Sequence, residues 1–308
     1  MFTLAIHGGA GTIPKNSLTP EREKAYLDGL NAALTVGEAI LKAGGTALDA
    51  VTAAVASLED CPLFNAGCGA VFTHTGQHEL DASIMRGDNR MAGAVAGVQG
   101  VKNPVLLARS IMEKSEHVLL SGKGAAEFAR SQGLEFRDEN YFHNDFRYQQ
   151  WQQALKEDAV FLDHTVADEK KFGTVGAVAL DVHGNLAAAT STGGMTNKKF
   201  NRIGDTPVIG SGTYANNNTC AISCTGHGEF FLRAVVAHDI SCLMEYAGMT
   251  LKQACEKVVM DKLVKLGGEG GLVAIDAKGS IELPFNSEGM YRGFLKSDGG
   301  REVMIYKS

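Results

Sequence analysis

The distribution of apolar positions in the N-terminal part of the chain predicts a short strand followed by two helices. Residues 4–7 form an apolar run that ends in a glycine turn, which is typical of a buried strand. Leucines at helical spacing follow Thr19-Pro20, a helix-start signal, and Gly44-Gly45 marks the end of that helix. Thr46 and Asp49 resemble a capping box, which predicts a second helix that reaches about Leu58.

The middle of the chain alternates short strand-like segments with helices and then changes character. We predict strand-like segments at residues 69–73 and 91–98, and helices at residues 105–114 and 124–132. From about residue 135 to residue 173 the chain is polar, charged and aromatic. Within this stretch, residues 149–156 favour a helix, whereas residues 163–171 have no apolar period and predict an exposed loop. The stretch as a whole is the predicted linker of the chain.

The strongest β-pattern follows directly. Residues 174–180 and 186–190 are strand-like runs on either side of a turn that contains His183-Gly184. If the turn is centred on His183, Thr174 and Thr192 lie opposite each other and their side chains share one face. The pattern therefore predicts a hairpin that brings two threonines together.

Strands and helices occur in clusters in the rest of the chain. A strand at residues 220–224 precedes helices at about residues 229–247 and 251–265, and residues 272–275 and 281–283 predict a second hairpin. Because the two element types do not strictly alternate, the order favours a layered α+β fold in one domain, residues 1–308, over a Rossmann-type fold.

Composition narrows the possible functions. The formal net charge is −6 and the lysines and arginines form no long run, which argues against a nucleic-acid partner. The N-terminus has no basic region before its short apolar run, and no stretch approaches the roughly 20 apolar residues of a membrane span. The six cysteines include no C-x-x-C pair. Together these features predict a cytoplasmic protein with reduced thiols and no membrane partner.

Gly173-Thr174 is the candidate for covalent chemistry. If the chain breaks between these residues, Thr174 gains a free α-amine beside its own hydroxyl. A threonine hydroxyl needs a base to act as a nucleophile, and an N-terminal amine with a pKa of about 7.7–8 is able to accept the proton at neutral pH. From this residue alone, an ordinary β-branched strand residue remains the commoner interpretation.

The other candidate residues are open to plain interpretations when they are taken singly. Without the other motifs, the plain interpretation of Arg202 and Asp205 is a surface ion pair. Thr225 to Gly228 form an ordinary glycine turn or a loop of free backbone N–H groups at a helix start. His74 and His78 with Glu79 have strand-compatible spacing, but no third ligand stands out for a metal site. For His7 and His227 we favour a role in loop packing.

Four segments in this order change the interpretation. They are His7-Gly8-Gly9-Ala10-Gly11; residues 58–67, LEDCPLFNAG; Gly173-Thr174-Val175-Gly176 with residues 190–194, TSTGG; and Arg202-Ile203-Gly204-Asp205 with residues 225–229, TGHGE. Together they resemble the plant-type L-asparaginase and isoaspartyl peptidase family of N-terminal-nucleophile hydrolases. The resemblance extends from residue 4 to about residue 293. It implies a four-layer αββα sandwich and the hydrolysis of asparagine and β-aspartyl dipeptides.

The resemblance also implies roles for individual residues. Thr174 is the expected nucleophile, freed by autocleavage after Gly173, with Thr192 beside it and Asn65 at the cleavage site. Arg202 and Asp205 are expected to bind the α-carboxylate and α-ammonium of the substrate, because a guanidinium fork matches a carboxylate. Thr225 and Gly226 are expected to form the oxyanion hole, and Gly228 to shape the substrate pocket.

The family further implies a sodium ion, a subunit assembly and no organic cofactor. The expected sodium ligands are main-chain carbonyls of a loop containing Leu58, Glu59, Cys61, Phe64, Ala66 and Cys68, since carbonyl oxygens suit a hard cation. Autocleavage is expected to give an α-subunit, residues 1–173, and a β-subunit, residues 174–308, with two such αβ units forming a dimer.

Three alternatives remain. The first is a glycosylasparaginase, a sibling enzyme that releases glycans from asparagine. The second is an uncleaved amino-acid-binding protein in which Arg202 and Asp205 clamp the ligand. The third is a metal-dependent amidase.

Overall fold

The structure is a computed structural model that describes residues 1–15, 18–157 and 173–307. It combines α-helices with two β-sheets. Within the described residues, no helix has the length and apolar character needed to cross a membrane. Residues 163–171, for which the sequence predicts an exposed loop, lie outside the described residues.

The larger sheet has eight strands within the described residues and is antiparallel except for one parallel pair, β3 with β4. Its strands lie in the spatial order β12-β11-β1-β5-β6-β2-β3-β4. Their bounds are β1 Thr3–Gly11, β2 Leu80–Arg86, β3 Ala92–Val98, β4 Leu119–Ser121, β5 Val175–Leu180, β6 Leu186–Thr192, β11 Gly289–Lys296 and β12 Arg301–Tyr306.

The smaller sheet has four antiparallel strands within the same residues, in the order β10-β9-β8-β7. Its strands are β7 Thr213–Ala215, β8 Cys220–Gly226, β9 Gly270–Asp276 and β10 Ile281–Glu282. The pairing of β9 with β10 confirms the second predicted hairpin.

The helices confirm most of the predicted ones. They are α1 Pro20–Lys42, α2 Ala47–Glu59, α3 Pro104–Lys114, α4 Gly122–Ser131, α5 Glu139–Phe142, α6 Asp145–Lys156, α7 Gly228–Ala234, α8 Val236–Ala247, α9 Leu251–Cys255 and α10 Leu263–Leu266. Thr19 and Thr46 cap α1 and α2 as predicted, because each side chain accepts a hydrogen bond from a backbone N–H of the first turn. A π-helical segment, Glu256–Lys262, joins α9 to α10.

Two apolar clusters hold the elements together. In one, α1, α2 and α3 pack against the larger sheet, with α2 lying over β5 and β6. In the other, β8 and β9 pack against β1, β5 and β6, and α8 and α9 cover the smaller sheet. β5 and β6 are buried along their whole length because both apolar clusters include their side chains.

Several segments differ from the prediction. Residues 69–73 are not a strand; Gly67–Gly69 is a 3-10 turn and Thr73 makes only an isolated bridge. The first part of the predicted linker is folded into α5 and α6, where Arg147 is buried, so its polar sequence does not mark an exposed segment there. The predicted helix at residues 229–247 is interrupted at Val235, which has a left-handed backbone with φ 51°. The strand β2 was not predicted.

The predicted hairpin is present with the predicted register. β5 and β6 are antiparallel, and Val175 lies opposite Ser191. Continued by one residue, this register places Thr174 opposite Thr192. The hairpin therefore brings the start of one strand and the end of the next to the same point, beside the glycine that precedes Thr174.

Candidate active site

Thr174 lies at the start of β5 and is buried, with 7% of its surface exposed. Its hydroxyl donates a hydrogen bond of 3.3 Å to Oγ1 of Thr192. The hydroxyl of Thr192 in turn donates to the carbonyl oxygen of Gly173 at 2.8 Å. The two threonines thus meet at the peptide bond that precedes Thr174.

The carbonyl group of Gly173 accepts a second hydrogen bond, from Asn65. The amide nitrogen of Asn65 lies 2.9 Å from the Gly173 oxygen and also donates to the Gly194 oxygen at 2.7 Å. Its Oδ1 accepts from the backbone N–H of Val71, so both ends of the side chain are held. Two donors on one carbonyl oxygen stabilise the negative charge that develops there when a nucleophile attacks its carbon.

Arg202 and Asp205 lie together at the same cavity, but Arg202 already has a partner. Nε and Nη2 of Arg202 each lie 2.8 Å from a carboxylate oxygen of Glu229. Burial by itself raises the pKa of Glu229, but hydrogen bonds from His227 and Arg202 outweigh it and hold that pKa well below its usual range. Glu229 therefore fixes one edge of the guanidinium and leaves the Nη1 edge for another group.

Asp205 is buried, and one of its oxygens, Oδ2, has no hydrogen-bond partner among the described residues. Burial raises the pKa of this carboxyl to about 7, although Arg202 opposes the increase. A buried carboxyl with an unsatisfied oxygen is suited to receive a cationic donor, because the new hydrogen bond and the opposite charge offset the cost of burial.

Gly228 lies between these two side chains. A Cβ atom at this position would lie 2.7 Å from Nη2 of Arg202 and 2.9 Å from Oδ1 of Asp205. A cavity of about 20 Å³ links this pair to Thr174; it is lined by Gly173, Thr174, Thr192, Gly194, Met195, Arg202, Gly204, Asp205, Thr206 and Gly226. A space of this size holds about one water molecule.

The structure brings Gly226, but not Thr225, to the cavity. Thr225 is fully buried in β8, and its hydroxyl accepts a hydrogen bond of 3.2 Å from the backbone N–H of Ala10. The ladder between β8 and β9 ends at Gly226, which is paired with Gly270. Just beyond it, α7 begins at Gly228 with its N-terminus near Asp205.

The predicted cation ligands extend from the last two residues of α2 through the following loop into the 3-10 turn. A Cβ atom at Gly67 would lie 2.3 Å from the carbonyl oxygen of Glu59, and one at Gly69 would lie 2.1 Å from that of Phe64. Burial raises the pKa of the Glu59 carboxyl to about 8 and that of the Cys68 thiol to about 12. Near neutral pH these two side chains are therefore uncharged, so a cation bound at this loop would depend on main-chain carbonyl oxygens.

The histidines near Glu79 do not form a metal centre. Nδ1 of His74 is hydrogen-bonded to Asn197, and His78 packs against the ring of Phe72. Across residues 1–15, 18–157 and 173–307, no cluster of three or more histidine, cysteine, aspartate or glutamate side chains has the geometry to hold a metal ion.

Comparison with known proteins agrees with the motifs. A family model described as asparaginase matches residues 1–305. The chain is 56% identical over 294 residues to a protein of Escherichia coli (strain K12) named isoaspartyl peptidase, covering 94% of this chain and 92% of that protein. It is 41% identical over 309 residues to a protein of Pyrococcus abyssi named plant-type L-asparaginase, covering 96% and 97%.

A third relative is an isoaspartyl peptidase of Salmonella typhimurium, which is 54% identical over 294 residues and covers 94% of each chain. The family match extends over nearly the whole chain and includes all the motifs identified in the sequence. The chain therefore belongs to the asparaginase family, with isoaspartyl peptidases and a plant-type L-asparaginase among its relatives.

Proposed function

We propose that this chain is an autocleaving threonine amidohydrolase that hydrolyses β-aspartyl peptides and L-asparagine. The observation that carries the proposal is the arrangement at the Gly173–Thr174 bond. Its carbonyl oxygen accepts hydrogen bonds from Asn65 and Thr192, and the hydroxyl of Thr174 lies beside Thr192. The names of the relatives, isoaspartyl peptidase and L-asparaginase, support the substrate class.

Maturation is an acyl shift within the chain. Oγ1 of Thr174 attacks the carbonyl carbon of Gly173, the C–N bond breaks, and the hydroxyl proton passes to the departing nitrogen. Asn65 and Thr192 stabilise the negative oxygen of the intermediate. Water then hydrolyses the ester, which leaves a carboxylate on Gly173 and both a hydroxyl and an α-amine on Thr174. The products are an α-subunit, residues 1–173, and a β-subunit, residues 174–308.

In turnover the new α-amine is the base. It takes the hydroxyl proton as Oγ1 of Thr174 attacks the side-chain carbonyl of the substrate, and the leaving ammonia or α-amine takes a proton as it departs. A β-aspartyl ester on Thr174 remains, and water releases it as aspartate. We propose Thr225 and Gly226 as the oxyanion donors of this step; the position of Gly226 at the cavity supports the second of them.

The site recognises the two charged groups of a free α-amino acid, its α-carboxylate and its α-ammonium. Arg202 binds the α-carboxylate through the Nη1 edge that Glu229 leaves available, and the unpartnered Oδ2 of Asp205 accepts from the α-ammonium. Gly228 leaves the space between them open. Because the cavity of the uncleaved chain measures about 20 Å³ and Gly173 lines it, an aspartyl group is excluded until the bond breaks.

We further propose the finer features that the family implies. The contacts of α1–α3 with the larger sheet, of the two sheets with each other, and of α8 and α9 with the smaller sheet support a four-layer αββα sandwich. The carbonyl-lined loop of residues 58–68 would hold a structural sodium ion, and no organic cofactor enters the reaction. The αβ units are proposed to form a dimer.

Mass spectrometry of the purified protein together with an ammonia-release assay tests the function. We expect two polypeptides, the second beginning at Thr174, and release of ammonia from asparagine and of free amino acids from β-aspartyl dipeptides. A fully active sample that contains only the uncleaved chain would contradict the proposal.

The alternatives give different results in the same experiments. A glycosylasparaginase would hydrolyse glycosylated asparagine faster than plain asparagine. A binding protein would bind aspartate in isothermal titration without turnover. A metal-dependent amidase would lose its activity with chelators.

The ionisation of Asp205 predicts a pH dependence of ligand binding. Since its pKa is raised to about 7, the carboxyl of the free enzyme is neutral below that pH and ionised above it. The neutral form binds an α-ammonium weakly. We expect the inhibition constant of L-aspartate to increase about tenfold for each unit that the pH falls below 7. Asp205→Asn should bind weakly at every pH; an inhibition constant of the wild type that stays flat from pH 6 to pH 8 would contradict the assignment.

Gly228→Ala is expected to impair substrate binding while sparing maturation. The added methyl group would lie within 3 Å of both Arg202 and Asp205, so the two groups have to move apart. We expect KM for asparagine to increase about tenfold, with cleavage after Gly173 unchanged. Gly124→Ala in α4 is the matched control, because a Cβ atom there meets nothing within 4 Å. Equal KM values for the two variants would refute the role of Gly228.

A further inference from the structure

A row of buried hydroxyl groups connects the two sheets and ends at His7 in β1. Neighbouring oxygens lie 2.5 to 2.8 Å apart, and the last hydroxyl lies 2.8 Å from Nε2 of His7. The other ring nitrogen, Nδ1, lies 3.0 Å from the carbonyl oxygen of Thr174. Each member is fully buried; from the far end they are Ser83, Thr213, Thr190, Ser223 and His7.

The direction of these hydrogen bonds is determined from one end. A carbonyl oxygen only accepts, so Nδ1 of His7 carries a proton and donates to Thr174. Burial lowers the pKa of His7 to about 3, which keeps the ring neutral and Nε2 unprotonated. The hydroxyl of Ser223 therefore donates to Nε2 and accepts from Thr190. Thr190 in turn accepts from Thr213, so the protons of these three hydroxyls are directed toward His7.

The local backbone explains why a side chain is needed at this point. The ladder between β1 and β5 begins with the pair His7 and Gly176, and the ladder between β5 and β6 begins with Val175 and Ser191. Thr174 precedes both. Its carbonyl group therefore receives its hydrogen bond from the imidazole of His7 and not from a neighbouring strand.

Gly176 leaves the space in which Ser223 and His7 meet. A Cβ atom at Gly176 would lie 1.9 Å from Oγ of Ser223 and 2.5 Å from Nε2 of His7. Real Cβ contacts are not this short, so a side chain at this position would separate the serine from the imidazole. The glycine that follows Val175 is thus part of the same arrangement.

The hydrogen bond from His7 restricts the α-amine of Thr174 through the geometry of one carbon atom. The Cα of Thr174 carries the carbonyl carbon, Cβ and the nitrogen. His7 holds the carbonyl group, and Thr192 holds Oγ1 and with it Cβ. Once two of the three arms are held, the chirality of Cα places the third. After scission the nitrogen has lost its bond to Gly173, so these two contacts are what keep it beside the hydroxyl.

We propose that His7 is a positioning residue for the α-amine of Thr174, and that the buried hydroxyl row keeps His7 in the tautomer with the proton on Nδ1. In the other tautomer, a lone pair of Nδ1 faces the carbonyl oxygen and the two repel each other. The inference rests on the proposed function, because only a cleaved chain has an α-amine to orient.

Ser223→Ala tests the proposal without touching His7 or Thr174. The variant removes the hydroxyl that donates to Nε2 and leaves a gap beside the ring, so the imidazole is held at one nitrogen only and its contact with Thr174 weakens. We expect kcat for asparagine to fall about tenfold while KM stays within about twofold, because the α-amine acts in the chemical step and not in ground-state binding.

Ser241→Ala is the matched control. Ser241 lies in α8 and is also buried, and its hydroxyl is 2.6 Å from that of Thr219, the residue just before β8. The same atom is removed, so a comparable decrease in Tm is expected, but kcat should stay that of the wild type. The kcat values are calculated per cleaved chain, with the cleaved fraction measured by mass spectrometry. If Ser223→Ala and Ser241→Ala have equal kcat values, the proposal is wrong.

Nitrogen-15 NMR of the wild-type protein tests the tautomer directly, with the signals of His7 assigned from the spectrum of His7→Gln. We expect a protonated Nδ1 and an unprotonated Nε2. A wild-type spectrum with the proton on Nε2 would overturn the proposal even if Ser223→Ala does not fold. If the wild type neither cleaves nor turns over, the proposed function fails separately, while the spectrum still reports the tautomer.

Discussion

Thr174→Ala is expected to give an uncleaved chain with no measurable turnover. The variant removes the oxygen that attacks the carbonyl of Gly173, and with it the nucleophile for the substrate. The neighbouring hydroxyl of Thr192 does not replace it, because it already donates to the Gly173 oxygen. We expect kcat to fall by at least about 10⁴-fold, the size of effect seen when a covalent nucleophile is removed. Mass spectrometry and the ammonia assay measure the two consequences independently.

Thr174→Ser is the conservative partner of this variant. It keeps the hydroxyl and the potential α-amine but loses the methyl group that restricts χ1. It should therefore cleave and turn over more slowly than the wild type and far faster than Thr174→Ala. Ammonia release by a Thr174→Ala sample that mass analysis shows to be whole would remove Thr174 from the mechanism.

Asn65→Ala is expected to slow maturation by about 10² to 10³-fold, because loss of one oxyanion donor costs roughly that much. The scissile carbonyl accepts from Asn65 at 2.9 Å and from Thr192 at 2.8 Å. The variant removes the first donor and keeps the second, so the precursor should accumulate and convert slowly. The fraction of cleaved chain over time, followed by denaturing gel or mass spectrometry, gives the rate.

Asn103→Ala controls for a general loss of stability in this experiment. Asn103 is also largely buried, and its amide donates to Asp60 at 3.1 Å, away from Thr174. Its variant should have a lower Tm but mature at the wild-type rate. Cleavage of Asn65→Ala as fast as that of Asn103→Ala would show that the contact with Gly173 does not contribute to the reaction.

Glu229 is the residue of the site to which sequence reasoning gave no role. It lies within the TGHGE motif, but a carboxylate in a helix's first turn is ordinary in sequence, since it interacts favourably with the helix dipole. Only the folded chain places it across from Arg202, 27 positions earlier, with two contacts of 2.8 Å. Arg202 is paired with Glu229 and not with Asp205, so the plain interpretation of Arg202 and Asp205 as a surface ion pair is wrong.

Strand β2 was missed because its pattern of apolar and polar residues does not resemble that of a strand. Its sequence, LDASIMR, places Asp81 and Ser83 at buried positions, so polar residues do not mark a solvent-facing side. Ser83 is satisfied by Thr206 and Thr213, which come from the smaller sheet region far along the chain. A strand that is buried on both faces and carries polar residues has neither the alternation nor the apolar run that sequence patterns detect.

Several features depend only on neighbours along the chain and could be predicted from the order of residues. These are the capped helices α1 and α2, the hairpin of β5 and β6, and the position of Thr174 opposite Thr192, because a short turn sets the register between strands that follow each other. Tertiary structure brings Asn65 and His7 to the Gly173–Thr174 bond, and only the family resemblance led us to expect Asn65 there. Asn65 and His7 are 108 and 167 positions away from their partners there. Such contacts follow from the packing of whole elements, which no local pattern of residues encodes.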